Sequence, residues 1–192
     1  MLREKLQNYN VILASKSPRR QQFFKDLDID FKIQLKEVEE IYPSELKGVE
    51  ITDYLANLKA KQFTDVSEKD VLITSDTIVW LNETALGKPK DAEDAFNMLR
   101  ALSGKKHKVI TSICIKSKTF KKIINDITIV TFKEISDDEI NYYIKNYKPF
   151  DKAGAYGIQE WIGLIAIDKL EGSFYNVVGL PVHKLYRELM KL

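Results

Sequence analysis

A strongly apolar stretch of the chain carries an acid in its middle: Val71-Leu72-Ile73-Thr74-Ser75-Asp76-Thr77-Ile78-Val79-Trp80. Burying a carboxylate in such surroundings costs on the order of several kcal/mol unless a cation or a metal compensates it. Asp76 could therefore be a general base or a metal ligand. It could equally be a buried aspartate that only accepts backbone hydrogen bonds, and this segment alone leaves both readings open.

A second group of residues suits anions. Ser15-Lys16-Ser17-Pro18-Arg19-Arg20 combines hydroxyls with three cationic side chains, directly after the apolar run 11–14 and before a helical pattern. Pro18 is suited to the first helical position and Ser17 to the N-cap, so the loop meets a helix N-terminus, where backbone donors and the helix dipole favour a phosphate. Arg19 and Arg20 as solvated helix surface is the plain alternative. Lys59 and Lys88 taken singly are surface lysines, yet a triphosphate needs several cations to neutralise both the attacked phosphorus and the leaving group. Glu39 and Glu40 read most simply as a solvated acidic turn; as ligands they would offer the hard oxygens that Mg2+ or Mn2+ prefers.

Other chemistries are excluded. His107 and His183 stand far apart without matching cysteines, so no structural zinc site is expected, and both are assigned to packing or surface. The single cysteine, Cys114, has apolar neighbours and reads as core, and it allows no intrachain disulfide. Neither a Gly-x-x-x-x-Gly-Lys-Ser/Thr nor a Gly-x-Gly-x-x-Gly segment occurs, so phosphate must be held by something other than those loops.

The elements that must position these residues follow from periodicity. Strands are expected at 11–14, 31–35 and 71–80, the last interrupted at its polar middle, then an antiparallel pair at 109–115 and 123–132, and a short strand at 164–167. Helices are expected from Pro18, over 52–63, after the N-cap Asp91, after the capping-box pair Ser136 and Glu139 up to Pro149, and from Pro181. The glycine-punctuated segment 151–159 reads as a functional loop.

Composition sets the frame. The 192 residues suffice for one substantial core, and 30% charged with 44% hydrophobic residues is ordinary for a globular protein. A net charge of +2 from 30 basic and 28 acidic residues lacks the bulk field that non-specific nucleic-acid binding requires, so anion binding must be local. No run reaches the length of a signal peptide core or a membrane span, which fits a cytoplasmic protein without membrane attachment.

Taken together and in order, ILASKSPRR, SDTIV, LGKPKDAEDAFNMLRALSG, DKAGAYGIQ and GSFYNVVGLP resemble the Maf family of septum-formation-protein-like nucleotide pyrophosphatases. The resemblance spans nearly the whole chain. It implies a single domain over 1–192 with an α/β fold, in which an elongated, twisted mixed sheet is flanked by helices and two lobes enclose a cleft, similar to inosine-triphosphate pyrophosphatases. It further implies hydrolysis of a nucleoside triphosphate to the monophosphate and pyrophosphate with a divalent cation, Mg2+ or Mn2+, and a homodimer. By position, Asp76 matches the catalytic aspartate. Ser15, Arg20, Lys59 and Lys88 match phosphate-contacting positions, and Glu40 with Asp76 the metal site.

The SPRR, DT and GIQ segments resemble the branch that prefers dTTP and UTP, with Arg19, Thr77 and Gln159 at the selecting positions. A glutamine amide can both donate to and accept from the edge of uracil or thymine. The chain departs from the family at two places: Thr74-Ser75 replaces a frequent Gly-Ala, expected to alter packing only, and Glu160 replaces a frequent glycine, adding a bulky acid beside the base-reading loop. Two rival expectations remain: the same reaction on a methylated GTP or a modified pyrimidine triphosphate, or a non-catalytic nucleotide-binding regulator of cell division.

Overall fold

The computed structural model describes residues 1–192. In chain order the elements are α1 (Leu2–Leu6), β1 (Asn10–Leu13), α2 (Pro18–Asp26), β2 (Phe31–Ile33), α3 (Val49–Lys61), β3 (Asp70–Leu81), β4 (Thr84–Leu86), α4 (Ala92–Leu102), β5 (Lys106–Lys116), β6 (Lys121–Phe132), α5 (Asp137–Tyr147), α6 (Trp161–Ala166), β7 (Ile167–Glu171), α7 (Phe174–Val178) and α8 (Val182–Leu189), with a 3-10 turn at Ala153–Ala155. The strands form one seven-stranded mixed sheet in the order β2-β1-β3-β5-β6-β7, with β4 paired to β3. β1 runs parallel to β2 and β3, while β4 and β7 run antiparallel to β3 and β6. The mixed α/β sheet flanked by helices is the expected class. No helix is long and apolar enough to cross a membrane.

The chain divides into two compact units, one of Met1–Asp76, Thr111–Asp126 and Gly179–Leu192, the other of Thr77–Ile110 and Ile127–Val178. In the first unit, strand alternation sends successive side chains to opposite faces. Val71 and Ile73 of β3 pack with Leu13, Phe24 of α2, Leu2 and Leu6 of α1, and Leu185 and Leu189 of α8. Leu72 faces the other way, against Ala56 and Ala60 of α3 and against Cys114, which is core as expected. Asp76, two and four positions beyond Thr74 and Leu72, thus shares the face that α3 covers.

In the second unit α4 is capped by Asp91, whose carboxylate accepts from the Asp94 amide at 2.8 Å, and α5 by the Ser136/Glu139 capping box. α4 buries Ala95, Leu99 and Leu102, and α5 buries Ile140, Tyr143 and Ile144. His107 is packed among the Phe132 and Tyr156 rings with its Nε2 2.7 Å from the Tyr156 hydroxyl, whereas His183, in the first unit, is a surface residue near Asp126.

Several expectations are corrected. β3 is not interrupted: it runs unbroken through Ser75, Asp76 and Thr77, and the side chains of Thr74 and Asp76 find partners on α3. Thr74 Oγ1, for one, donates to the Ala56 carbonyl of α3 at 2.6 Å. Residues 164–166 belong to α6, and the strand begins only at Ile167. The apolar run there is helical in spacing, burying Ile162 and Ala166 while Leu164 is 82% exposed. α3 starts at Val49 rather than Thr52, and β2 ends at Ile33. The expected pair at 109–115 and 123–132 is present as β5 and β6, neighbours joined by the turn 117–120, closed by Ser117 N donating to Phe120 O at 2.8 Å. So short a link joins only antiparallel strands.

Candidate active site

β1 stops at Leu13, opposite Ile73 of β3. Beyond that point β3 has lost its parallel neighbour, and the Ser75 carbonyl accepts instead from Arg20 at 2.9 Å. Arg20 is brought there by α2, which Pro18 opens at its first turn and Ser17 caps, its hydroxyl accepting from the Arg20 amide. The Arg20 guanidinium also donates through Nε to the Gly179 carbonyl at 2.8 Å. Ser15 is buried, and its hydroxyl accepts from the Ser17 amide at 3.2 Å. The loop that the sequence marks for phosphate therefore lies at the C-terminal end of β1, next to the Ser75-Asp76 step.

Asp76 is 6% exposed. Its Oδ1 lies 2.7 Å from Lys59 Nζ, and the same ammonium lies 3.0 Å from Glu40 Oε1. Lys59 reaches this point from the last turns of α3, which Thr74 ties to β3. Glu40 comes from a segment with no regular structure between β2 and α3; Lys36, near its start, donates to the Gln62 carbonyl at 2.8 Å. One lysine thus serves two carboxylates, with Arg20 near enough to add its charge.

Burial pushes the Asp76 carboxyl above the ordinary aspartate range, and Lys59 first, then Arg20, pull it back. For Arg20, burial opposes the charged form and Asp76 supports it. Burial thus opposes the charge on both Asp76 and Arg20, and each offsets part of that cost for the other.

Glu40 and Asp76 supply hard carboxylate oxygens of the kind a divalent cation takes, and a bound cation would share them with the Lys59 ammonium that lies against both. No group of three or more His, Cys, Asp or Glu side chains gathers anywhere. A cation here would take its remaining ligands from phosphate and water, as Mg2+ does in many phosphoryl-transfer sites.

The remaining sequence-derived residues are placed as follows. Arg19 follows Pro18 on α2 and is partly exposed; Thr77 follows Asp76 on β3 and begins the second unit. In that unit Lys88 is exposed between β4 and α4, and Gln159 is exposed at the end of the 151–159 loop. These two segments are linked, since the Gly154 amide donates to the Gly87 carbonyl at 2.9 Å. Glu40, Lys59, Asp76 and Arg20 are thus assembled in the first unit, and the Lys88 and Gln159 segments in the second.

Sequence reasoning passed over Tyr143 and Lys152. Tyr143 donates to Glu160, and Lys152 lies 3.0 Å from Glu160 and 2.7 Å from Asp151. The signal available was a lysine beside an aspartate at the start of a glycine-punctuated loop.

The family described as Maf-like protein matches residues 10–192. A dTTP/UTP pyrophosphatase of Flavobacterium johnsoniae is 61% identical over the full length of both chains. A dTTP/UTP pyrophosphatase of Christiangramia forsetii is 54% identical over 100% of this chain and 98% of its own. In fold the chain is similar to a HAM1 protein from Coxiella burnetii, with a TM-score of 0.53 at 16% identity, covering 96% of this chain and 100% of that one. The Staphylococcus aureus Ham1 protein gives 0.52 at 18% identity, covering 93% and 99%. A family match over nearly the whole length, with relatives this similar from end to end, establishes that the chain belongs to the Maf-like protein family.

Proposed function

We propose that this protein hydrolyses dTTP and UTP to the nucleoside monophosphate and pyrophosphate. The observation that carries the chemistry is Lys59 held between the buried Asp76 and the half-exposed Glu40, beside Arg20. The substrate follows from relatives named dTTP/UTP pyrophosphatase and from Arg19, Thr77 and Gln159 at the selecting positions.

In this reading the Asp76 carboxylate takes a proton from a water whose oxygen attacks the α-phosphorus. The bond from that phosphorus to the bridging oxygen breaks, and pyrophosphate leaves with the electron pair. Burial makes Asp76 a stronger base than an exposed aspartate, and Lys59 offsets part of the cost of its charge. Lys59, Arg20 and Lys88 offset charge on the transition state and the leaving group, and Ser15 orients a phosphate oxygen. A Mg2+ or Mn2+ ion held by Glu40 and Asp76, when bound, would supply Lewis-acid polarisation of phosphate oxygens.

Residues 1–192 are proposed to fold as one domain, because each compact unit is made from non-contiguous segments and neither can be excised by a single cut. A homodimer is proposed on the family resemblance. Residence in the cytoplasm is supported by a single, buried cysteine that suits a reducing compartment. The test is a panel of natural and modified triphosphates assayed for released pyrophosphate with and without Mg2+ and Mn2+. Fastest turnover of dTTP and UTP, abolished by chelation, is expected; a preference for another base, or turnover indifferent to chelation, contradicts the respective part.

A further inference from the structure

The segment from Asp151 to Glu160 is tied at both ends to one tyrosine and one lysine. Tyr143, fully buried on α5, donates its hydroxyl to Glu160 Oε2 and accepts from the Gly157 amide at 3.0 Å. The other Glu160 oxygen lies 3.0 Å from Lys152 Nζ, which in turn lies 2.7 Å from Asp151 Oδ1. Lys152 is itself buried, an unusual state for a lysine unless it is paired. Burial first, then the bond and charge of Glu160, push the Tyr143 hydroxyl far above its ordinary range, so it remains a donor at every working pH.

Gln159 is exposed and adjoins this arrangement. A Cβ built on Gly157 would stand 2.9 Å from the Glu160 carboxyl carbon and 3.0 Å from Gln159 Nε2. The Glu160 carboxylate and the Gln159 amide therefore both lie close against the Gly157 backbone, where a Cβ would push them outward. What looked from sequence like a bulky acid intruding on the loop is turned inward and neutralised by two donors.

We propose that Glu160 is a positioning residue for base selection: anchored on Tyr143 and Lys152, it fixes the 157–159 backbone and thereby presents the Gln159 amide to a pyrimidine whose edge has acceptors flanking a donor. This rests on the role given to Gln159 above. An amide fixed in advance loses less freedom on binding, so the gain falls on substrates that it hydrogen-bonds and not on others.

The experiment measures kcat and KM for dTTP, UTP, CTP and ribose 5-triphosphate with the full chain and its Q159A, E160A and Y143F variants. For E160A, KM for dTTP and UTP is expected to rise about tenfold with kcat within about twofold, and for Y143F to rise about threefold. KM for CTP and for the base-free triphosphate stays unchanged in both. If Q159A leaves the preference for dTTP over CTP intact, the role of Gln159 fails and the inference falls with it. If Q159A erodes that preference while E160A and Y143F do not, positioning is overturned and the role of Gln159 stands. An equal loss of kcat on all four substrates makes Glu160 merely structural and also overturns it. Should E160A not fold, Y143F decides on the same criteria.

Discussion

The Lys59 ammonium lies 2.7 Å from the Asp76 carboxylate where the two side chains are 16% and 8% exposed. Removing one partner of so buried a pair leaves the other charge without compensation. Lys59→Met is expected to cost about 3 kcal/mol of stability, and adding Asp76→Asn is expected to recover much of it. Urea unfolding of the two single variants and the double variant measures the coupling; additive losses contradict it.

Arg20 spends two of its donors on the Ser75 and Gly179 carbonyls, at 2.9 and 2.8 Å. A lysine cannot reproduce that fork. Arg20→Lys is expected to lower stability by about 1–2 kcal/mol and to raise KM for the triphosphate, although the charge is retained. Unchanged stability would show that the two carbonyl bonds contribute nothing.

His107 gives a pH signature. Burial lowers its pKa from 6.5 to about 4. Between those values the unfolded chain takes up a proton that the folded protein refuses, so this contribution is fully present above pH 6.5 and is lost as the pH falls toward 4. The loss should reach about 3 kcal/mol at most. His107→Gln is expected to flatten the stability curve in that window relative to the unmodified protein. Parallel curves for the two proteins would exclude the effect.

Gly154 combines a φ of +67° with a position where a Cβ would stand 2.7 Å from Val79 Cγ2. Gly154→Ala is expected to destabilise by about 2 kcal/mol or more. Thermal unfolding checks it, and if residues 1–192 fold as one domain the transition stays single.

The first unit was the more legible in sequence. The Ser15–Arg20 loop and Asp76 announce themselves by local pattern: a proline and a cap at a strand-to-helix step, and an acid in an apolar run. The pairing of Lys59 with Glu40 could not be read locally, because Glu40 sits on a segment without periodicity and meets the lysine only through the packing of α3 on β3. The Tyr143, Lys152 and Glu160 arrangement was hidden for the same reason, and Tyr143 reads from sequence as an ordinary buried helix residue. Residues 164–167 misled because a short apolar run has no period of its own; only the helical burial of Ile162 and Ala166 distinguishes it. α1 and β4, at five and three residues, are too short to carry a pattern.

The central claim is that Asp76 is the base. Asp76→Asn removes the carboxylate with little change in shape, so pyrophosphate release from dTTP should fall by about a thousandfold or more, with KM changed little and the protein still folded. Retention of most of the turnover by a folded Asp76→Asn protein would contradict the account.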